Sequence, residues 1–396
     1  HPVVYDSTDG IGKIAMKSWH LICSAVLILA IGLVVTIMIQ RGANRPTNQR
    51  TKVLMSPVFT ADQLYRSMVG PHFTTKLPSL DESDFVWLTG YEAQAMAVDG
   101  KTEISQEFIC HSDLYMDFRY HNNLFQTSGF IDPRLFIISQ GQHTIKLPPG
   151  FGIPMLSKEP LTWMTQLLNL NPQSQDQKLR HKLTIHYTTD DPENPLKALF
   201  QRTISGAAVI DGSEGYPNVA QPDPEKHGPG CLTREAAAAL GRYSDSVGRR
   251  FTNHWVVPPG KEVNPTLVTQ LLNLPYDTTV HYIAIHLHPF AESLELVDLT
   301  ENKTLFKSHV RNTPDRIGIE HVEYFSSVEG LPMYTDHEYQ LTSVYNNTTS
   351  ENQDSMASMC LYLHDKQYRK PSPEKVLKLK RDMAAGGHFL RKPANH

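Results

Sequence analysis

The stretch TTVHYIAIHLHPF, residues 278–290, decides how the rest of the chain is read. Its β-branched and aromatic positions, Thr278, Thr279, Val280, Tyr282, Ile283 and Ile285, favour a pleated strand over a helix. Pro289 has no N–H to give a neighbouring strand, so the strand is expected to end or become an edge there. Similar short runs recur as FVWLTGYEA at 85–93, RLFIISQ at 134–140, HKLTIHYTT at 181–189, SLELVDL at 293–299 and YQLTSVYNN at 339–347. Clusters of Pro, Gly, Asn and Asp separate them. Many short strands with close turns predict a mainly β chain of antiparallel, jelly-roll-like sandwiches. Strong helical periodicity is confined to short pieces such as the Ala-rich TREAAAALG at 233–241.

A repeat organises these strands. The hexapeptide TQLLNL occurs at 165–170 and again at 269–274, an offset of 104 residues, each time after a Pro-Pro-Gly turn at 148–150 or 258–260. The strand that follows carries His186 in LTIHYTT and His286 in IAIHLHP. The reading is two related β-sandwich domains in tandem, 56–204 and 249–365, joined by a Gly/Pro-rich connection at 205–248. Residues 366–396 carry nine Lys or Arg against two acids and read as a basic tail, solvated or facing lipid headgroups.

The 396 residues are 20% charged and 40% hydrophobic with a net charge of -4, which excludes wholesale disorder. Without a surplus of Lys and Arg, no nucleic-acid partner is expected. Residues 22–39, ICSAVLILAIGLVVTIMI, hold no charge for eighteen positions, and 19–40 as a helix would cross roughly 30 Å of hydrocarbon. The expectation is one transmembrane helix at 19–40, after an N-terminal segment at 1–18 and before a linker at 41–55. A cleaved signal peptide fits less well, because the apolar run is long and no small-residue cleavage site follows it. Arg41, Arg45, Arg50 and Lys52 favour a cytoplasmic location for the bulk of the chain; a periplasmic or extracellular one is the competing expectation. Of four Cys, Cys23 lies in the span, so Cys110, Cys231 and Cys360 allow at most one disulfide. Asn302, Asn346 and Asn347 match glycosylation acceptors.

Histidine is abundant, with nineteen in the chain. His286 and His288 are two apart on the predicted strand, so alternation sends both imidazoles to one face, close enough to share a metal ion. His281 has the opposite parity and should point away. A His-x-His pair occurs in zinc hydrolases, in copper sites and on plain β-surfaces, and the pattern alone leaves all three open.

The surrounding residues narrow this. HWVVPPGKEVNPTLVTQLLNLPYDTTVHYIAIHLHPFAESLEL at 254–296, VEYFSSVEGLPMYTDHEYQLTSVYNN at 322–347 and NQDSMASMCLYL at 352–363 resemble the type II, ascorbate-dependent copper monooxygenases. That family includes peptidylglycine alpha-hydroxylating monooxygenase and dopamine beta-monooxygenase, and the resemblance stretches over most of the chain beyond the apolar span. It implies copper held by His286, His288 and Met356, with Met359 as the neighbouring competitor. A soft thioether suits Cu(I), and imidazole serves both oxidation states. It further implies dioxygen activation and C–H hydroxylation, with ascorbate or a similar reductant supplying electrons through a second copper in the first domain.

There, DFVWLTGYEA and LPPGFGIPM look like the family's strand and turn, but the family's adjacent histidines appear as Cys110 and His111 in EFICHSDL. The family's third histidine falls near Asn169 in QLLNLN. One of three histidines is kept, so the resemblance implies one copper with a full ligand set and a degenerate second site at Cys110, His111 and Asn169. His121, His143 or His186 with a Cys110 thiolate form an alternative set. No catalytic residue is assigned beyond the metal ligands. Three classes stay open: a copper monooxygenase, a non-catalytic copper-binding subunit of a membrane complex whose neighbours deliver electrons or copper, and a tethered β-sandwich scaffold.

Overall fold

The computed structural model describes residues 49–384 apart from 62–64, 79–84, 126–131, 172–176, 211–249 and 254. The expected span at 19–40, the Ala-rich piece at 233–241, Cys23 and Cys231 lie outside the described residues. Among the described residues no helix is long and apolar enough to cross a membrane.

The chain is mainly β and builds several sheets. Its first half runs through β1 (Gln49–Met55), β2 (Phe59–Ala61), β3 (Tyr65–Thr75), β4 (Phe85–Met96), β5 (Ile109–Met116), helix α1 (Phe118–Phe125), β6 (Arg134–Ser139), β7 (Thr144–Lys146), β8 (Phe151–Leu156), β9 (Leu161–Asn169), β10 (Gln177–Thr189) and β11 (Lys197–Ser205). The second half adds β12 (Ala208–Ile210), β13 (Arg250–Thr252), β14 (Trp255–Val257), β15 (Gly260–Leu267), helix α2 (Thr269–Leu272), β16 (Thr278–Leu287), β17 (Ala291–Asp298) and β18 (Lys303–Asn312). It closes with β19 (Ile319–Val322), β20 (Phe325–Met333), β21 (Tyr339–Asn347), β22 (Gln353–Ser355), β23 (Ala357–His364) and helix α3 (Pro373–Ala384).

One long sheet, ordered β1-β10-β4-β8-β11-β23-β16-β20, runs through both halves. A four-stranded sheet, β3-β9-β5-β6, and a five-stranded sheet, β15-β21-β17-β18-β19, complete the layers. Trp163, Tyr91, Phe136 and Leu183 fill one core, while Ile283, Leu294, Leu341 and Tyr345 fill the other. The two halves of the long sheet join through β8 and β11, which pair in parallel only at Lys197↔Phe151 and Ala198↔Gly152.

Strand β16 belongs to both cores. Ile283, Ile285 and Leu287 enter the second core, while Tyr282 and Ala284 enter the first. A strand buried on both faces reads as a continuous apolar run, which explains YIAI in its centre. Its pairing with β20 stops at Ile283. Past that point side chains cover the edge: Ser139 Oγ donates to the Ile285 carbonyl at 2.8 Å, and the Ile285 N–H donates to Gln142 Oε1 at 3.1 Å. Buried backbone groups are seldom left unpaired, and here side chains substitute for a missing strand.

Three segments depart from the sequence reading. The two TQLLNL copies adopt different structures: the first lies in β9, the second forms α2 and ends at Asn273 with φ 37°. Strands β3 and β5 flank the first copy, whereas Asn273 in a left-handed cap and Pro275 stop the second. Residues 49–55, read as the end of a linker, form β1 and pair with β10. The basic tail is no mere extension, because Val376 of α3 is buried against a cluster containing Phe85, Trp87 and Phe125. Residues 385–396 lie outside the described set.

Candidate metal centre

His286 and the following His288 share the face of β16 that turns toward the first half. Their rings meet edge to face with centroids 5.4 Å apart, and they are 3% and 5% exposed. Two imidazoles bound to one ion at about 2.0 Å would place their centroids roughly 5 to 5.5 Å apart, so the spacing suits a shared metal. His281 lies elsewhere, at the register shift between Val280 and Tyr282, where it stacks on Phe151 at 4.0 Å and hydrogen-bonds Thr279 and the Ser327 carbonyl.

Residue parity also places one of the two methionines. In the β16–β23 register Ile285 faces Met359, His286 faces Ser358 and Leu287 faces Ala357. Met359 therefore shares the face of Ile285 and is buried in the second core, away from the histidine face. Met356 lies between β22 and β23, and only its backbone is placed near His288. One hydroxyl ties its backbone to His288: Tyr345 Oη accepts from the His288 N–H at 3.2 Å and donates to the Met356 carbonyl at 2.5 Å.

Cys110 and His111 come to the same place. The pairing of β5 with β9 passes from Ile109↔Leu167 to His111↔Gln166, so Cys110 is the extra residue of a bulge. A bulge re-aims side chains that strict alternation would send to opposite faces. The His111 ring contacts His286 edge to face, with centroids 5.4 Å apart. The Cys110 thiol lies near enough to the His288 ring to raise its pKa. Asn169 is buried at the end of β9, where its Cα faces Tyr65. Of the other first-half candidates, His121 pairs with Glu159 at 3.1 Å and His186 with Glu92 at 2.8 Å.

Two carboxylates orient the imidazoles. Asp354 presents both its carbonyl and Oδ2 at 3.3 Å from His288 Nδ1. Burial alone would push the His288 imidazolium down, but Asp354 and Cys110 outweigh it and hold its pKa at about 9. His111 Nδ1 lies 3.0 Å from Asp113 Oδ2. Burial would push the Asp113 carboxyl up, yet His111, Arg134 and the Tyr115 hydroxyl bring it below the ordinary carboxylate range. With Nδ1 engaged by an acid, Nε2 is the nitrogen left to face a metal, the usual arrangement around ligating histidines. Asp113 stands two residues from His111 on one strand, so alternation could have singled it out. Asp354 opens the DSM triplet that ends in Met356, and the fold brings it beside His288.

His288, Phe290, Gln353, Asp354, Leu168 and Leu170 line a shallow depression. Among the described residues, no three His, Cys, Asp or Glu side chains form a group that could hold a metal ion. A set of two imidazoles and one thioether is of a different kind, because its third donor is methionine.

No family model matches the chain, and no curated protein matches it. Among solved structures, the one titled "Crystal Structure of the STIV MCP" is similar over 80% of this chain and 96% of that chain, at 9% identity and a TM-score of 0.34, too low to argue for a shared fold or function.

Proposed function

We propose that the chain is a membrane-anchored copper protein of two tandem jelly-roll-like sandwiches that binds copper through His286, His288 and Met356. The observation that carries this reading is the convergence of two buried imidazoles, 5.4 Å apart, with a methionine whose backbone one hydroxyl links to His288. The donor set fits the metal: nitrogen and thioether sulfur together favour copper over zinc or the hard cations. Copper held there would supply dioxygen activation for C–H hydroxylation, the chemistry of the family that the sequence resembles. This chain's own residues do the rest: Asp354 fixes the His288 tautomer, and Tyr345 holds the backbones of His288 and Met356 together. The bulk of the chain is assigned to the periplasmic or extracellular side of a single-pass anchor at 19–40.

A second reading, a non-catalytic copper-binding subunit of a membrane complex, draws on the position of His111. In the family's scheme an electron-transfer copper occupies a separate site, but here His111 and Cys110 abut the His286–His288 pair. That favours one merged site served by a reductant or a neighbouring protein. Copper analysis of chain purified without chelators, with Cu(I) X-ray absorption, tests both readings. One copper per chain with nitrogen ligands and a long sulfur ligand is expected. His286→Ala should abolish it, and Met356→Leu should remove the sulfur while leaving nitrogen. Substoichiometric copper unaffected by His286→Ala would sink the proposal. Ascorbate-driven oxygen consumption separates the enzyme from the subunit.

A further inference from the structure

The Asn-x-Thr triplets that begin at Asn302, Asn346 and Asn347 are alike in sequence and unlike in their settings. An N-linked glycan is bulky and hydrated, so a folded chain keeps one only where the asparagine reaches solvent and its amide nitrogen has a hydrogen to give up.

Asn347 fails on both counts. It is 2% exposed at the end of β21, and its Nδ2 donates to the Val257 carbonyl at 3.0 Å and the Glu351 carbonyl at 2.7 Å, which uses both amide hydrogens. Its Oδ1 accepts from the N–H and the hydroxyl of Thr349, the last residue of its own triplet, at 3.0 and 2.7 Å. Asn346 is half-buried in the same strand, facing Lys261 of β15 and donating its N–H to the Phe290 carbonyl at 2.8 Å. Its Nδ2 donates to Glu292 Oε1 at 3.0 Å, and Glu292 in turn pairs with Lys261 at 2.8 Å. A sugar on that nitrogen would compete with the carboxylate for it.

Asn302 meets both conditions. It ends the turn 299–302 between β17 and β18 at φ 49°, a left-handed conformation that Asn adopts more readily than most residues. The Asp298 carboxylate fixes the turn by accepting from the Thr300 and Glu301 N–H groups at 3.0 and 3.1 Å. Asn302, Lys303 and Thr304 are exposed, and among the described residues the Asn302 side chain makes no hydrogen bond. Strand β17 leads away from the histidines: the Ala291 N–H reaches the His288 carbonyl, and Asp298 lies at the far end, roughly 20 to 25 Å along the strand. A glycan on this turn leaves the histidine cluster uncovered.

We propose that Asn302 carries an N-linked oligosaccharide and that Asn346 and Asn347 do not. The inference rests on the assignment of the bulk of the chain to the extracytoplasmic side. The donor is an oligosaccharide on a polyprenyl pyrophosphate. Asn302 Nδ2 bonds to the anomeric carbon as the bond from that carbon to the pyrophosphate oxygen breaks; the amide loses one proton and polyprenyl pyrophosphate leaves. Transfer precedes folding, and burial then selects the chains whose glycan the fold accommodates.

The full chain, made in cultured animal cells and purified folded, tests this. Amidase release of glycans in heavy-oxygen water converts each occupied asparagine to a labelled aspartate, which peptide mass spectrometry locates. Label is expected at Asn302 alone. Asn302→Asp keeps a residue tolerant of the left-handed turn and should abolish the glycan, whereas Thr304→Ser keeps the triplet and should retain it. Protease added outside sealed vesicles reports sidedness separately. A protected chain that is bare at Asn302, or labelled at Asn346 or Asn347, overturns this inference alone. A chain digested from the cytoplasmic face overturns it together with the assigned sidedness.

Discussion

Removing one oxygen atom from Tyr345 tests the link between packing and the candidate site. The residue is 1% exposed, and its hydroxyl bridges the His288 N–H at 3.2 Å and the Met356 carbonyl at 2.5 Å. Tyr345→Phe keeps the ring, including its edge contact with Trp255, and strands a buried donor and a part-buried acceptor together. An orphaned polar group costs ~1–3 kcal/mol, and with partial relaxation the pair should cost about 2–4 kcal/mol. Urea unfolding should show a lower midpoint at an unchanged slope. Copper affinity should fall as well, because the two ligand-bearing segments lose the atom that joins them. Tyr339→Phe is the matched control: its hydroxyl, on a residue also 1% exposed, accepts from the Tyr334 N–H at 2.7 Å and donates to the Tyr334 carbonyl at 3.1 Å. It should cost comparable stability and leave copper binding alone. A loss below about 0.5 kcal/mol in Tyr345→Phe, or equal copper affinity in the two variants, would refute the reasoning.

Two further outcomes follow from groups outside the site. His181 is 1% exposed, has no hydrogen-bond partner on either ring nitrogen among the described residues, and burial pushes its pKa down to about 3. Its ordinary value is 6.5, so the unfolded chain binds the proton first: His181's contribution is present above pH 6.5 and is lost as pH falls toward 3. At ~1.4 kcal/mol per pH unit the loss between pH 6.5 and 5 is about 2 kcal/mol, and His181→Phe should flatten that part of the pH–stability curve, with an unchanged slope counting against the assignment. Gly141 has φ 80°, and a Cβ there would lie 2.6 Å from Ile319 Cγ2 and 3.0 Å from the backbone of His321 and Val322. Gly141→Ala should therefore cost about 2–4 kcal/mol, against about 1 kcal/mol for Gly150→Ala, where only the positive φ is strained; equal thermal shifts in the two variants would contradict this.

Strands were legible because local chemistry and tertiary packing agree on them. The runs around Phe85, Arg134, His181, Ser293 and Tyr339 all became strands. Long-range contacts decided what the sequence could not. TQLLNL carries no intrinsic preference strong enough to resist its setting, so neighbouring strands extend one copy and a left-handed Asn273 coils the other. The opening of α3 was readable: Ser372, Pro373 and Glu374 form a helix start, and the Lys375 N–H bonds Ser372 Oγ at 3.3 Å. Charge counting hid it, because nine basic residues in 366–396 drew attention from the apolar face around Val376. The face shared by His286 and His288 followed from alternation. The arrival of Cys110 and His111 beside them did not, since a bulge has no signature in the residue types alone.

Burial changes the weight of the histidine pattern. A His-x-His pair on a solvated sheet face is an ordinary surface feature, but His286 and His288 are 3% and 5% exposed on a strand covered on both sides. Such a strand has no solvated face to which polar residues can be assigned, so each imidazole on it must be offset by specific interactions. His281 meets that demand with Thr279 and Ser327, as a structural histidine does. His288 meets it in part the same way, through the Asp354 carbonyl at 3.3 Å, and His286 and His288 also have the His111 ring at 5.4 Å and the Asp354 carboxylate at 3.3 Å beside them. The crowding of imidazole rings around one buried pair is the observation from which the copper proposal is argued.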